Sequence, residues 1–236
     1  DLRAMRVCES NALELRGDCQ EQCSRYGVCM ADAPTTARAR ARVAMTDDIK
    51  RIAREHLAEH GSDGLSLRAV ARDLGVVSSA VYRYFASRDE LLTALIVDAF
   101  DAVGLAAEGA AADHRGGFGP RWARVCRSVR SWAVANPHDY ALIYGSPVPG
   151  YQAPPDTVSP ALRVTVAAMG VVLDGVADGE VDAVHTASVA RPVHADFDVL
   201  RSGLGVERSA LPDEGLARAL LAWTGLLGHN SYEFFG

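Results

Sequence analysis

The stretch LSLRAVARDLGVVSSAVYRYFASRDELL, residues 65–92, leaves a chain few ways to fold. Its apolar residues fall at three- and four-residue spacing, the period of one helical face. Gly75 interrupts them where the chain must turn through a conformation that other residues enter only with strain. The pattern predicts a short helix capped by Ser66, a tight turn at Gly75, and a second short helix from Ser78 or Ser79 to near Phe85. A longer helix follows Ser87, a good cap, with Asp89 and Glu90 at its positive N-terminal end. Leu67, Val70, Ala71, Leu74, Val76, Val81, Phe85 and Leu91 then point inward and lock the helices together. Ser66, Arg68, Ser78, Ser79, Tyr82, Arg83 and Arg88 are left outside, a set rich in hydroxyl and guanidinium groups.

A helix, a glycine turn and a helix with this outer chemistry make the helix-turn-helix arrangement. The second helix is expected to span about two turns, enough to enter a major groove roughly 12 Å wide. Tyr82 is long and ends in a hydroxyl, which suits a phosphate oxygen. Arg88, beside the backbone N–H groups of a helix start, suits another. Arg68 can fork onto a guanine, and Ser78, Ser79 and Ala80 offer short groups to base edges and thymine methyls. Arg83 can meet a base or a phosphate. Taken singly, exposed Arg and Ser are more often just solvated; the ordered set carries the reading.

The rest of the chain is helical by the same test. Ile49, Ile52, Ala53 and Leu57 mark a helix from about Asp47 to His60, closed by Gly61 and Gly64. After HRGGFGP (114–120), a helix led by Pro120 carries Trp122, Val125, Val129 and Trp132 and stops at Asn136–Pro137. A short helix holding Tyr140 and Tyr144 precedes GSPVPGYQAPPDTVSP, whose five prolines in 16 residues make it a loop. Residues 160–178 are helical and apolar, 180–211 are mixed, and Pro212 opens a last helix. No stretch alternates as strands do, so the fold class is all-α. The expected division is an extension and basic arm (1–45), a helix-turn-helix domain (46–92) and a helical second domain (93–236).

Residues 31–46 hold Pro34 and then Arg38, Arg40 and Arg42 at alternate positions. They read as an irregular arm, either a solvated linker or one that grazes DNA. Cys8, Cys19, Cys23 and Cys29 form no CxxC pair and have no His beside them, and His138, His185, His194 and His229 are scattered. No metal and no cofactor is expected. Met30 is expected to be the native start, with residues 1–29 an extension; Cys126 sits on an apolar helix face as a small core residue.

The net charge of −6 is unevenly spread. Arg38 to Arg88 holds ten basic and six acidic residues, net +4, while the remainder holds 14 and 24, net −10. The basic segment is the one with the helix-turn-helix pattern, which reconciles an acidic chain with a nucleic-acid partner. No apolar run reaches the roughly 18 residues that span a membrane, and the N-terminus does not read as a signal peptide, so a cytoplasmic protein is expected. GxSxG, HExxH and Walker patterns are missing, so an enzyme is not expected.

The string over about residues 47–95 resembles, without gaps, the N-terminal signature of the tetracycline-repressor (TetR) family of transcriptional regulators, G-x-x-x-L-S/T-x-R-x-V-A-x-x-L-G-V-x-x-x-x-L-Y-x-H/Y-F-x-x-K/R-x-x-L. The resemblance implies that Tyr82 and Arg88 contact phosphates, that Arg68 can contact a base, and that Ser78, Ser79 and Ala80 read sequence. Tyr84 stands where His is frequent. Val77 is apolar where many members are polar, so that position reads only a methyl group. WAVANPHDYALIYGSPVPGYQAPP and LAWTGLLGHNSYEFFG resemble, less specifically, a branch whose ligand domain carries a Trp and a Gly near its last helix, here Trp223 and Gly228.

The family resemblance implies a homodimer, a near-palindromic double-stranded DNA operator with half-sites about one helical turn apart, and a small-molecule effector that relieves repression by tilting the helix after Ser87. Trp122, Trp132, Tyr140, Tyr144 and Met169 are the candidates for the effector pocket. Leu220, Trp223, Leu226 and Leu227, on a helix apolar along more than one stripe, are the candidates for the dimer interface. Members of the family usually continue further, so part of that helix is expected beyond Gly236. An activator, or a DNA-binding protein without a ligand, fits the same residues.

Overall fold

Every regular element among the described residues is helical, as the apolar periodicity requires. The computed structural model describes residues 36–61, 64–182 and 190–236. The four N-terminal cysteines, Met30, residues 31–35 of the expected arm and His185 lie outside the described residues. In chain order the helices are α1 (Ala37–His60), α2 (Leu67–Asp73), α3 (Ser78–Val81), α4 (Arg88–Ala111), α5 (Phe118–Ala135), α6 (Pro137–Tyr144), α7 (Val158–Ala177), α8 (Val193–Leu204) and α9 (Asp213–Phe235). The expected boundary at residues 92–93 falls inside α4.

Two compact units divide the chain after Asp47. In the first, Thr36 Oγ1 accepts the Ala39 amide at 3.1 Å, and Arg38, Arg40 and Arg42 are exposed on helical backbone rather than in an irregular arm. Ala, Arg and Met favour helix, and no Gly or Pro stands between Ala37 and His60. A fully solvated helical turn has no apolar face, so its periodicity is invisible in the sequence.

The second unit begins with the head. Ile49, Ile52, Leu67, Val70, Val81 and Phe85 are buried there, each worth about 1.5–3 kcal/mol relative to exposure. Across α1 and α2, His56 Nε2 lies 2.7 Å from Asp73 Oδ2, and Arg72 Nε donates to Asp73 Oδ1 at 3.0 Å.

α4 carries Leu91, Leu92 and Leu95 at its head end and Val103, Ala107 and Ala111 further on, all buried. The latter three pack with Val125 and Val129 of α5 and Val164, Ala168 and Val171 of α7. A second cluster joins Met169 and Val172 of α7 to Phe197 of α8 and Leu216 and Ala219 of α9. Arg201 of α8 is 3% exposed and donates to the Leu211 carbonyl at 3.1 Å and to the Asp213 carboxylate. This holds the start of α9 against α8.

The stretch Pro155–Ala177 is, by length and composition, apolar enough to cross a membrane, contrary to the expectation from the sequence. In the fold it is a core element of the bundle. Its charged Arg163 is met from α4 by Glu108 Oε1 at 2.7 Å and by Asp101 Oδ1 at 2.7 Å. Where α4 and α7 cross, Gly104 is buried, and a Cβ built on it would lie 2.7 Å from Arg163 Cβ.

Gly104→Ala should therefore destabilise by about 1–3 kcal/mol through overpacking. Gly109→Ala, where an added Cβ meets open space, should be neutral or stabilise by up to about 1 kcal/mol. Urea unfolding of the two variants checks the contrast. Arg72, first, and His56 hold the Asp73 carboxyl below its ordinary range. The Asp73 contacts thus stabilise above the unfolded carboxylate value of about 3.9, and lose that effect as pH falls through the depressed value. Asp73→Asn should melt lower than the parent at neutral pH, and calorimetry should show the two converging in acid. A gap independent of pH would mean the carboxylate charge plays no part.

Candidate nucleic-acid interface

The turn between α2 and α3 is closed by backbone bonds. Gly75 has φ +69°, its N–H donates to the Arg72 carbonyl at 3.0 Å, and Val76 N–H donates to the Ala71 carbonyl at 2.9 Å. These are the two bonds of a Schellman motif, which needs a left-handed residue where glycine stands. α3 is shorter than the sequence predicts. Regular α-helix covers Ser78–Val81, and tighter turns continue it: Arg83 N–H donates to the Ala80 carbonyl at 3.3 Å and Tyr84 N–H to the Val81 carbonyl at 2.9 Å. At the start of α4, Ser87 Oγ accepts the Glu90 amide at 3.1 Å, the expected cap, while Glu90 Oε2 accepts the Ala86 amide at 2.6 Å. Ser66 stands at the N-cap of α2, but its hydroxyl makes no capping bond.

The expected inner set faces inward: Leu67, Val70, Ala71, Val81, Phe85 and Leu91 are buried, and Leu74 and Val76 are half-buried. In the outer set, Ser66, Arg68, Ser79, Tyr82 and Arg83 are exposed, and Ser78, Ala80, Tyr84 and Arg88 are half-buried. Arg88 Nη1 lies 3.4 Å from Asp89 Oδ1. Val77 is 71% exposed at the start of α3. Between Ser66 and Arg88 the sequence holds one acid, Asp73, and it is engaged by His56 and Arg72. The surface thus presents hydroxyls and guanidinium groups beside a two-helix turn, the chemistry that meets phosphate oxygens and base edges.

The residues expected at a pocket do not line one cavity together. A cavity of about 250 Å³ lies between α5, α7 and α9. Phe118, Trp122, Val172, Val176, Leu211 and Ala219 make most of its wall, and Asp182 and Arg218 add polar groups; Arg218 Nη1 donates to the Asp182 carbonyl at 3.1 Å. Trp122 alone of the expected set lines it; Met169 and Trp122 border a far smaller void. Trp132 packs on the central cluster. Tyr140 is fully buried, its hydroxyl 3.1 Å from Ser231 Oγ and its ring 5.0 Å from that of Phe234. Tyr144 meets Phe100 edge-on at 6.0 Å, and burial pushes its phenol well above the ordinary tyrosine range. Aromatic type cannot separate wall from core; only the meeting of three helices defines the cavity.

On α9, Leu220, Trp223, Leu226 and Leu227 are half-buried, and the first three pack on the two core clusters. The outward residues are Leu221, Tyr232 and Phe235, 73%, 78% and 54% exposed. Sequence reading also missed two ion clusters behind the head, His56–Asp73 and Lys50–Arg54–Asp98. Asp98 interrupts an otherwise apolar stretch of α4, which was their one visible trace.

Comparison with known proteins accounts for both halves. The model described as "Bacterial regulatory proteins, tetR family" matches residues 50–95, and "Tetracyclin repressor-like, C-terminal domain" matches residues 122–236. The HTH-type transcriptional regulators Mb1846 of Mycobacterium bovis and Rv1816 of Mycobacterium tuberculosis are each 44% identical over 194 residues, covering 80% of this chain and 80% of theirs. The crystal structure of SCO4313 matches with a TM-score of 0.65 at 33% identity, covering 84% of this chain and 88% of that one. With the turn at Gly75, the outer face it supports and these relatives in agreement, the chain belongs to the TetR family of helix-turn-helix transcriptional regulators and is not an enzyme.

Proposed function

We propose that the protein is a dimeric repressor whose hold on a near-palindromic operator is released by a small molecule. The observation that carries the reading is the outer face of α2 and α3, where hydroxyls and guanidinium groups surround the turn and the one acid is engaged elsewhere. Tyr82 and Arg88 meet phosphates; Arg68, Ser78, Ser79 and Ala80 meet base edges; Arg83 meets either, and Ser66 and Tyr84 border the contact. Val77, exposed and apolar, suits a thymine methyl.

The dimer face on α9 runs along Leu221, Gly225, Gly228, Tyr232 and Phe235, a four-three-four-three spacing that forms one seam. Added Cβ atoms at Gly225 and Gly228 meet open space, so a second helix has room to approach closely there. The half-buried Leu220, Trp223, Leu226 and Leu227 support that face from the core side.

The effector site is the cavity between α5, α7 and α9. Its size, about 250 Å³, suits a small ligand. Apolar walls with the Arg218 guanidinium beside them favour an apolar molecule bearing one acidic or carbonyl group. The ligand acts by binding one of two head arrangements more tightly, by roughly 1–3 kcal/mol.

Binding to a duplex selected by the protein from a randomised library tests the contacts. Arg88→Ala should weaken affinity for all duplexes and lower the salt slope by about one per protomer, whereas Tyr82→Phe should weaken affinity without changing the slope. Unchanged binding in both would remove the phosphate roles. For the cavity, a thermal-shift screen of small aromatic and aliphatic carboxylic acids should yield a stabilising compound, by about 2.7 kcal/mol at a hundred times its Kd. Ala222→Trp, which fills the cavity from its exposed rim, should abolish that shift and leave DNA affinity intact.

A further inference from the structure

α1 carries Lys50 and Arg54 one helical turn apart, and both reach a single carboxylate on α4. Lys50 Nζ lies 2.9 Å from Asp98 Oδ1, and Arg54 Nη2 lies 2.8 Å from Asp98 Oδ2. Arg54 Nε also lies 3.5 Å from Asp139 Oδ1 on α6. Their side chains are between 19% and 34% exposed, so solvent and salt screen these charges less than those of a fully solvated pair. Two cations and two carboxylates balance one another.

The geometry does what apolar packing cannot. Burial is non-directional and lets one helix slide or roll on another at small cost. Two oxygens of one carboxylate, each holding a different position of α1, fix both the height and the rotation of α1 against α4. Asp139 adds a strut from a third helix. α6 is itself anchored: Tyr140 donates to or accepts from Ser231 of α9, and Tyr144 lies edge-on against Phe100 of α4. A chain of direct contacts thus runs from α9, the helix of the proposed dimer face, through Tyr140 and Asp139 of α6 to Arg54 on the first helix of the DNA-binding head, the guanidinium that Asp98 holds from α4.

We propose that Asp98 is a positioning residue for operator recognition. It lies away from the α2–α3 face and sets, through Lys50 and Arg54, the angle at which each head leaves the body. That angle determines which half-site spacing the dimer accepts. The inference rests on the dimeric reading above.

Asp98→Asn keeps the shape and removes the charge; Asp98→Glu keeps the charge. The full-length chain and both variants are measured against three probes: a duplex selected by the parent from a randomised library, the same duplex with one base pair inserted between its half-sites, and an unrelated duplex. The parent should lose about tenfold in affinity on insertion, since one base pair shifts and rotates a half-site. Asp98→Asn should bind the selected duplex about tenfold more weakly while its insertion penalty shrinks to less than about threefold and the unrelated duplex is bound as before. Asp98→Glu should restore the penalty. A merely structural role predicts something else, an equal loss on all three probes with reduced helical circular dichroism, and that result overturns the proposal. So does a full insertion penalty in Asp98→Asn. A parent that selects only single half-sites overturns the dimeric reading and the positioning role with it, whereas the other two results leave the dimer standing.

Discussion

The crossing of α4 over α7 holds the rest of the molecule in place. Gly104 removes a side chain where the helices meet, and Arg163 lies across the gap. Its guanidinium joins Asp101 and Glu108 on either side of Gly104, so one residue of α7 grips two turns of α4. Close approach and charge act at the same point. A larger residue at 104 would push Arg163 off its carboxylates. Loss of Arg163 would leave two acids facing an apolar helix. Because α4 also supplies Leu91, Leu92 and Leu95 to the head end, its placement in the body determines where the DNA-reading turn is presented.

Around that crossing, apolar and polar contacts divide the work. The clusters of Val, Ala and Leu side chains between α4, α5, α7 and α9 supply most of the stabilisation and little orientation. Orientation comes from charged joints between elements. Asp98 gathers Lys50 and Arg54, Asp73 gathers Arg72 and His56, and Asp213 gathers Arg201 and His194. In each case both oxygens of one carboxylate are engaged; Asp98 and Asp213 thereby tie two positions of a neighbouring helix, whereas Asp73 joins α2 to α1 through His56 alone. The chain's single lysine, Lys50, is spent on such a joint.

The helix-turn-helix was legible because everything it needs is local. Inner positions repeat within 28 residues, Gly75 marks the turn, and Ser87 caps the next helix by contacts three residues apart. Elsewhere the same logic failed for identifiable reasons. The start of α1 carries no apolar face, so nothing in its spacing announced it. On α9 the apolar residues surround the helix, and no pattern can say that Leu220 and Trp223 turn inward while Leu221 and Tyr232 turn out. Trp132, Tyr140 and Tyr144 share the chemistry of Trp122, yet only Trp122 stands where α5, α7 and α9 leave a void.

The sequence by itself determined the all-α class, the helix-turn-helix and the chemistry of its outer face, since each depends on residues within one or two helical turns of one another. The tertiary structure decided which side of α9 is open, where the cavity lies and which carboxylates hold α1 to the body. Those depend on residues far apart in the chain, such as Arg54 with Asp98, 44 positions apart, and Tyr140 with Ser231, 91 apart. Nothing local distinguishes an aspartate that will meet such a partner from one that will meet water.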